Sequence, residues 1–187
     1  MEFEDDILMY REQNNQNNIF FYVRGKGTLK LVRGISCIIF NNKPNLNKEI
    51  LNSPLQVLLI QREKDPYKGR WCFPGGSLEP NETLREGVKR EVQEELGYEI
   101  EVFSGSDEIP DYLNKVSRGD IHYEISAFAG YLHHQQKKVP SEDLINRWFL
   151  YPDEINQLKD EECLPKLKDI LNEVASKYFD SNHLNIV

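Results

Sequence analysis

The chain of 187 residues carries 23 Lys and Arg against 31 Asp and Glu, a net charge of −8 that leaves no basic surplus for coating nucleic acid. Its length fits one domain at about 100–200 residues each, and no apolar run approaches the roughly 18 residues of a membrane helix. A hydrophobic fraction of 39% with a mean hydropathy of −0.61 indicates a globular domain with polar loops.

Residues 1–27 read as an N-terminal arm, with a domain over 28–187. The opening Met1-Glu2-Phe3-Glu4-Asp5-Asp6 is acidic where a signal or transit peptide would be basic, which points to the cytoplasm. The amide-rich patch Gln13–Asn18 is expected as a loop, and the cluster Ile19, Phe20, Phe21 and Tyr22 can pair as an extra strand. Thr28–Phe40 is rich in β-branched residues and Leu55–Ile60 is almost continuously apolar, so both read as strands with buried faces. Asn41–Pro54 between them, with five Asn and two Pro, reads as a loop.

Downstream, Ile121–Tyr131 alternates as a third strand and Asn146–Leu150 forms a fourth. Leu167, Ile170, Leu171 and Val174 fall at helical spacing, predicting an amphipathic helix over Leu164–Tyr178. Cys37, Cys72 and Cys163 form no CxxC pair, so neither a disulfide framework nor a zinc site is expected. Cys72 reads as a small buried residue, His133 and His134 as part of an exposed hairpin, and Arg118-Gly119-Asp120 as a turn.

Chemistry concentrates in the middle of the chain. Thr83-Leu84-Arg85-Glu86 has the form of a capping box and Gly97 stands where a C′ glycine ends a helix, so Leu84–Leu96 is predicted helical. Leu84, Val88, Val92 and Leu96 then form one apolar stripe, with Glu91 and Glu95 at its edge and Glu94 just beyond. Gly87 projects among these acids and is expected to leave open space beside them, while Glu86 and Arg90 can pair at i,i+4. Glu91 repels both Glu94 and Glu95 at one-turn spacing, each such pair costing about 0.2–0.5 kcal/mol, and the helix dipole adds to the cost. Stability alone would not select this pattern. A hard divalent cation with oxygen ligands reverses the sign of the repulsion.

Just upstream, Trp71-Cys72-Phe73-Pro74-Gly75-Gly76 is a glycine turn that can bring backbone groups close to a metal or phosphate. With the helix, the stretch resembles the Nudix hydrolase signature: glycine, five residues, Glu, seven residues, Arg-Glu, an aliphatic, any residue, Glu-Glu, any residue, glycine, an aliphatic. Here it reads Gly76, Glu82, Arg90, Glu91, Val92, Glu94, Glu95, Gly97 and Tyr98, and only Tyr98 departs, being aromatic. Leu58–Arg62, Gly69-Arg70-Trp71 and Trp148-Phe149 with Pro152–Ile155 extend the resemblance over about residues 28–178.

The resemblance implies an α/β fold, the α/β/α sandwich with a mixed β-sheet. It also implies divalent-metal-dependent hydrolysis of a pyrophosphate bond in a nucleoside diphosphate linked to another moiety, such as ADP-ribose, a (d)NTP or a dinucleoside polyphosphate. Mg²⁺ or Mn²⁺ would be held by Glu91, Glu94 and Glu95 with the Gly75 carbonyl. Arg90 would orient these acids, Glu82 would hold Arg90, and Glu91 is the preferred base. An acid outside the helix, Glu142 or Asp143, is a further expected metal ligand. Arg62, Phe73, Gly76, His122 and Tyr123 are the expected substrate contacts. Water is the expected nucleophile, since no Ser/His or Cys/His pairing is evident in sequence. The expected partner is a small nucleotide, with no extended nucleic acid and no membrane, and a homodimer is compatible with this. Two alternatives stand beside the enzyme: a Nudix-fold module that binds a nucleotide without cleaving it, and an RNA-processing, decapping-like hydrolase.

Overall fold

The computed structural model describes residues 7–13, 19–23, 27–44, 54–136 and 144–179. Along the chain these form β1 (Ile7–Gln13), β2 (Ile19–Val23), β3 (Gly27–Phe40), β4 (Gln56–Gln61), β5 (Trp71–Cys72), β6 (Gly75–Ser77) and α1 (Leu84–Leu96). There follow β7 (Tyr98–Val102), β8 (Tyr112–Arg118), β9 (Ile121–Gln136), β10 (Asn146–Leu150), α2 (Asp153–Gln157), a 3₁₀ turn at Asp160–Glu162 and α3 (Leu167–Tyr178).

The long strand β3 organises one mixed sheet. It runs parallel to β9 from Lys30 to Phe40, while β2, β6 and β4 pair antiparallel with successive parts of it. β10 extends β4, β5 pairs with the end of β4, and β1 extends β2. Both β8 and β7 lie antiparallel against β9, one after the other.

Strand alternation explains why this sheet is covered on both faces. Ile35, Cys37 and Ile39 of β3, Leu58 and Ile60 of β4 and Phe128 of β9 pack with Leu84, Val88, Val92 and Leu96 of α1. The intervening Ile38, Phe40, Val57, Leu59, Ala127 and Ala129 pack with Leu167, Ile170, Leu171, Val174 and Ala175 of α3. Each large apolar side chain buried this way contributes roughly 1.5–3 kcal/mol, against about 0–1 kcal/mol for a surface ion pair such as Arg147–Glu154. Apolar register, not charge, therefore sets the α/β/α sandwich.

Four details differ from the sequence expectation. Gln13 belongs to β1, while residues 14–18 of the amide patch and 45–53 of the expected loop lie outside the described residues. The expected hairpin at His133 and His134 is a continuation of β9, with His133 exposed. The last helix begins at Leu167, because Pro165 disfavours helical backbone at Leu164, whose N–H instead donates to Trp71 O at 2.9 Å. β5 to β8 and α2 had no counterpart in the sequence reading. No helix among the described residues is long and apolar enough to cross a membrane.

Candidate active site

α1 forms because both of its ends are satisfied. Glu86 N–H donates to Thr83 Oγ1 at 3.2 Å and Thr83 N–H to Glu86 Oε2 at 2.8 Å, while Gly97 closes the other end at φ 75°. Glu86 is thus committed to the cap, and the Thr83 backbone N–H holds its carboxyl below the usual range. The expected Glu86/Arg90 pairing gives way to a different one.

Arg90 grips Glu82 with two parallel hydrogen bonds, from Nε at 3.0 Å and Nη2 at 2.8 Å. Its Nη1 donates to Glu91 at 2.8 Å and Glu94 at 3.3 Å, and Nη2 also reaches the Ser77 carbonyl at 3.1 Å. These hydrogen bonds lower the pKa of Glu82 and raise that of Arg90. The space beside Gly87 is not open, as expected, but filled by this assembly: a Cβ there would stand 2.8 Å from Glu82 Oε1 and 3.2 Å from Ile35 Cδ1. Gly87 is required because Glu82 must reach past the helix to Arg90.

β6 closes the same region from the other side. Gly75 has φ 151°, which side chains rarely adopt, and a Cβ on it would meet Ser36 Cα at 2.7 Å. Its N–H donates to Glu95 Oε2 at 2.9 Å. Glu95 is pushed up to about 7, first by burial and then by the charges of Glu91, Glu63 and Glu94, with the Gly75 N–H opposing. A Cβ on Gly76 would lie 2.6 Å from Glu91 Cδ, so the glycine pair makes room for the helix acids.

These acids line a cleft of about 640 Å³. Of the expected residues, Arg62, Phe73, Gly75, Gly76, Glu91, Glu94, Glu95 and Tyr123 all border it. Glu82 and Arg90 stand behind the acids. His122 does not border the cleft: strand alternation turns it to the opposite face from Tyr123, where its Nδ1 lies 2.7 Å from Ser117 Oγ. Glu142 and Asp143 lie outside the described residues. Glu63 and Lys64, which the sequence reading passed over, also border the cleft. Their adjacency to Arg62 was the available signal, but the meeting with α1 is nonlocal. Cys72 is buried beside the cleft and pushed up to about 12 by burial and Glu95, so its thiol stays protonated near neutrality.

The donor chemistry fits a hard divalent cation: oxygen ligands, crowded negative charge and, in Glu95, a half-buried carboxylate with no ion-pair partner among the described residues. As they stand, no three side chains among the described residues converge as a ready ligand set. Arg90 engages Oε1 of Glu91 and Oε2 of Glu94, so the other oxygen of each carboxylate can bind an ion while Arg90 holds the first.

The chain is similar to known proteins. Putative nudix hydrolase 1 of Caenorhabditis elegans is 49% identical over 47 residues, 25% of this chain and 13% of its own length. The ADP-ribose pyrophosphatase of Methanocaldococcus jannaschii is 44% identical over 48 residues, 26% of this chain and 28% of its own. The match takes in less than a third of either relative. A NUDIX hydrolase structure from Nitrosomonas europaea shares the fold at TM-score 0.60 and 17% identity, covering 80% of this chain and 91% of that one. The NUDIX domain family model matches residues 30–169, most of the sandwich and the whole cleft, and the chain belongs to that family.

Proposed function

We propose that the chain hydrolyses a pyrophosphate bond in a nucleoside diphosphate linked to another moiety. The observation that carries this is that Glu91, Glu94 and Glu95 border one cleft together with the Gly75–Gly76 turn, Arg62 and Tyr123. The archaeal ADP-ribose pyrophosphatase supports ADP-ribose as the first substrate to test, ahead of a (d)NTP or dinucleoside polyphosphate. Residues 28–187 would form the hydrolase unit and 1–27 an added arm. Three buried, unpaired cysteines fit a reducing cytoplasm.

In this reading Glu91, Glu94 and Glu95, with the Gly75 carbonyl, hold Mg²⁺ or Mn²⁺. The bound ion supplies charge neutralisation for the pyrophosphate and acidifies water. Arg90, anchored on Glu82, fixes the direction of Glu91 at the cleft wall, where Glu91 accepts the proton of the attacking water. Arg62 and Lys64 draw in the substrate's negative charge, and Phe73 and Tyr123 offer aromatic surface to its base.

ADP-ribose hydrolysis in ¹⁸O-labelled water tests this. Expected are turnover with Mg²⁺ or Mn²⁺, none under chelation, and one label in a phosphate-bearing product. Cleavage that persists under chelation, or tight nucleotide binding without any turnover, would overturn the hydrolase assignment, the latter in favour of a binding module.

A further inference from the structure

A second cavity, of about 410 Å³, opens at the C-terminal end of α1. It shares no lining residue with the hydrolytic cleft but stands on the same elements: α1 gives Glu95 to the cleft and Leu96 to the cavity, and β4 gives Ile60 to one and Leu58 to the other. Its position follows from where the helix stops. Gly97, at φ 75°, ends α1 in a left-handed cap, while β4, β9 and β10 continue in the sheet beneath. Leu58 and Trp148 are directly opposed in the β4–β10 ladder and so share a face, the one that packs with Leu96. Tyr98, Leu132 and Trp148 are only partly buried against that cluster, and the surface they keep free lines the cavity. Tyr98 is also the one departure from the signature, a ring where an aliphatic is usual.

Size and charge restrict what the cavity takes. Its volume lies within the roughly 300–1,000 Å³ of small-molecule sites. None of the described residues lining it is Asp, Glu, Lys or Arg, in a chain where those types make up 29%. Lys43, over the Tyr131 ring at 5.2 Å, is held by Glu101 at 2.5 Å, and His133 on the rim interacts with the same carboxylate. α1 has no basic residue in its last turn, so the negative end of its dipole is left uncompensated. A phosphate finds no counter-charge here, whereas the cleft offers Arg62 and Lys64. Asn41 is taken up by Gln56 and Pro54, which leaves Asn146 and the polar tips of Tyr98 and Trp148 to meet a ligand.

We propose that this cavity is a second ligand site, for an uncharged nucleobase or nucleoside stacked on Tyr98 and Trp148. A planar heterocycle gives its faces to the rings and its edge donors and acceptors to Asn146, and its N–H groups suit the negative end of α1. Phosphate-bearing nucleotides are thus directed to the cleft and uncharged ones to the cavity. The site stands whether or not the chain hydrolyses a pyrophosphate.

The chain has two tryptophans, and they locate the binding. Trp148 lines the cavity, whereas Trp71 lies edge-on to Phe149 at 4.9 Å and lines neither site. Titration of the full chain with adenosine, guanosine or cytidine should quench fluorescence saturably in Trp71→Phe, where Trp148 reports, and leave Trp148→Phe unchanged. The nucleoside that binds best should do so at least as tightly as its 5′-monophosphate. Tyr98→Leu, made in Trp71→Phe, should weaken it by about fivefold or more, the scale of one lost base–aromatic stack. Tyr123→Ala, in the cleft, should leave that affinity unaltered. The site is overturned if no nucleoside binds saturably at millimolar concentration, if the quench resides in Trp71, if the monophosphate binds more tightly through Trp148, or if Tyr98→Leu leaves the affinity intact. Should Tyr98→Leu fail to fold, the two tryptophan variants still decide.

Discussion

Glu95 carries its charge under conditions that depend on pH. Its carboxyl titrates near 7 against an ordinary 4.5, with burial the larger cause and Glu91, Glu63 and Glu94 adding to it. A carboxyl raised in this way binds more protons folded than unfolded, so its stabilising contribution is present below about pH 4.5 and lost as pH rises through about 7. Metal-free Glu95→Gln should therefore melt above the parent by about 2–4 °C at alkaline pH, the response of a chain this size to roughly 1 kcal/mol. The gap should close on acidification, and scanning calorimetry across that range decides it; a constant gap would show that the gain has nothing to do with ionisation. Arg90 acts differently, since one guanidinium holds Glu82, Glu91 and Glu94 together. Arg90→Ala should weaken Mg²⁺ binding by about 10–100-fold with helix content retained, and unaltered affinity by calorimetry would remove its orienting role.

Among the elements, β6 is only three residues long, and its two glycines do separable work. Gly75→Ala drives a Cβ into the Ser36 backbone, which cannot yield cheaply, so the fold should lose about 2–3 kcal/mol in a denaturant titration. The nearest atoms that Gly76→Ala meets belong to the Glu91 carboxylate, a flexible group, so stability should hold while turnover falls about tenfold or more as Glu91 is displaced. If Gly76→Ala turns over normally, Glu91 does not need its observed position. α1 was readable from sequence because its cap, apolar stripe and closing glycine are all local. β5 and β6 were not, being too short for any periodicity to show, and they exist only where β4 and β3 offer them an edge. β8 was missed because Tyr112–Arg118 alternates weakly on a half-exposed edge. In the site, the acids and Arg90 were legible from spacing. The filling of Gly87's space by Glu82 and the turning of His122 away from the cleft depend on tertiary register.

For the molecule as a whole, a cation that binds only the folded cleft should stabilise it by mass action. At a hundredfold excess over its dissociation constant the gain is about 2.7 kcal/mol, so the Tm should rise with Mg²⁺ concentration, and in Glu95→Gln the rise should be blunted. A Tm insensitive to Mg²⁺ and Mn²⁺ would deny the cleft a folded-state metal site. β3 carries a separate consequence for how chains of this architecture can vary in length. Its odd-numbered residues Ile35, Cys37 and Ile39 meet α1 and its even-numbered Ile38 and Phe40 meet α3, while Gly34–Ser36 also receives the glycine turn. One inserted residue before Gly34 would slide that register against β9, and one inserted after Ser36 would exchange the two helices' contact sets outright. Indels should consequently be excluded from Lys30 to Phe40 and tolerated at the β8–β9 turn, where Gly119 has nothing within 4 Å of its added Cβ. Insertion scanning coupled to a folding reporter would draw that boundary along the chain.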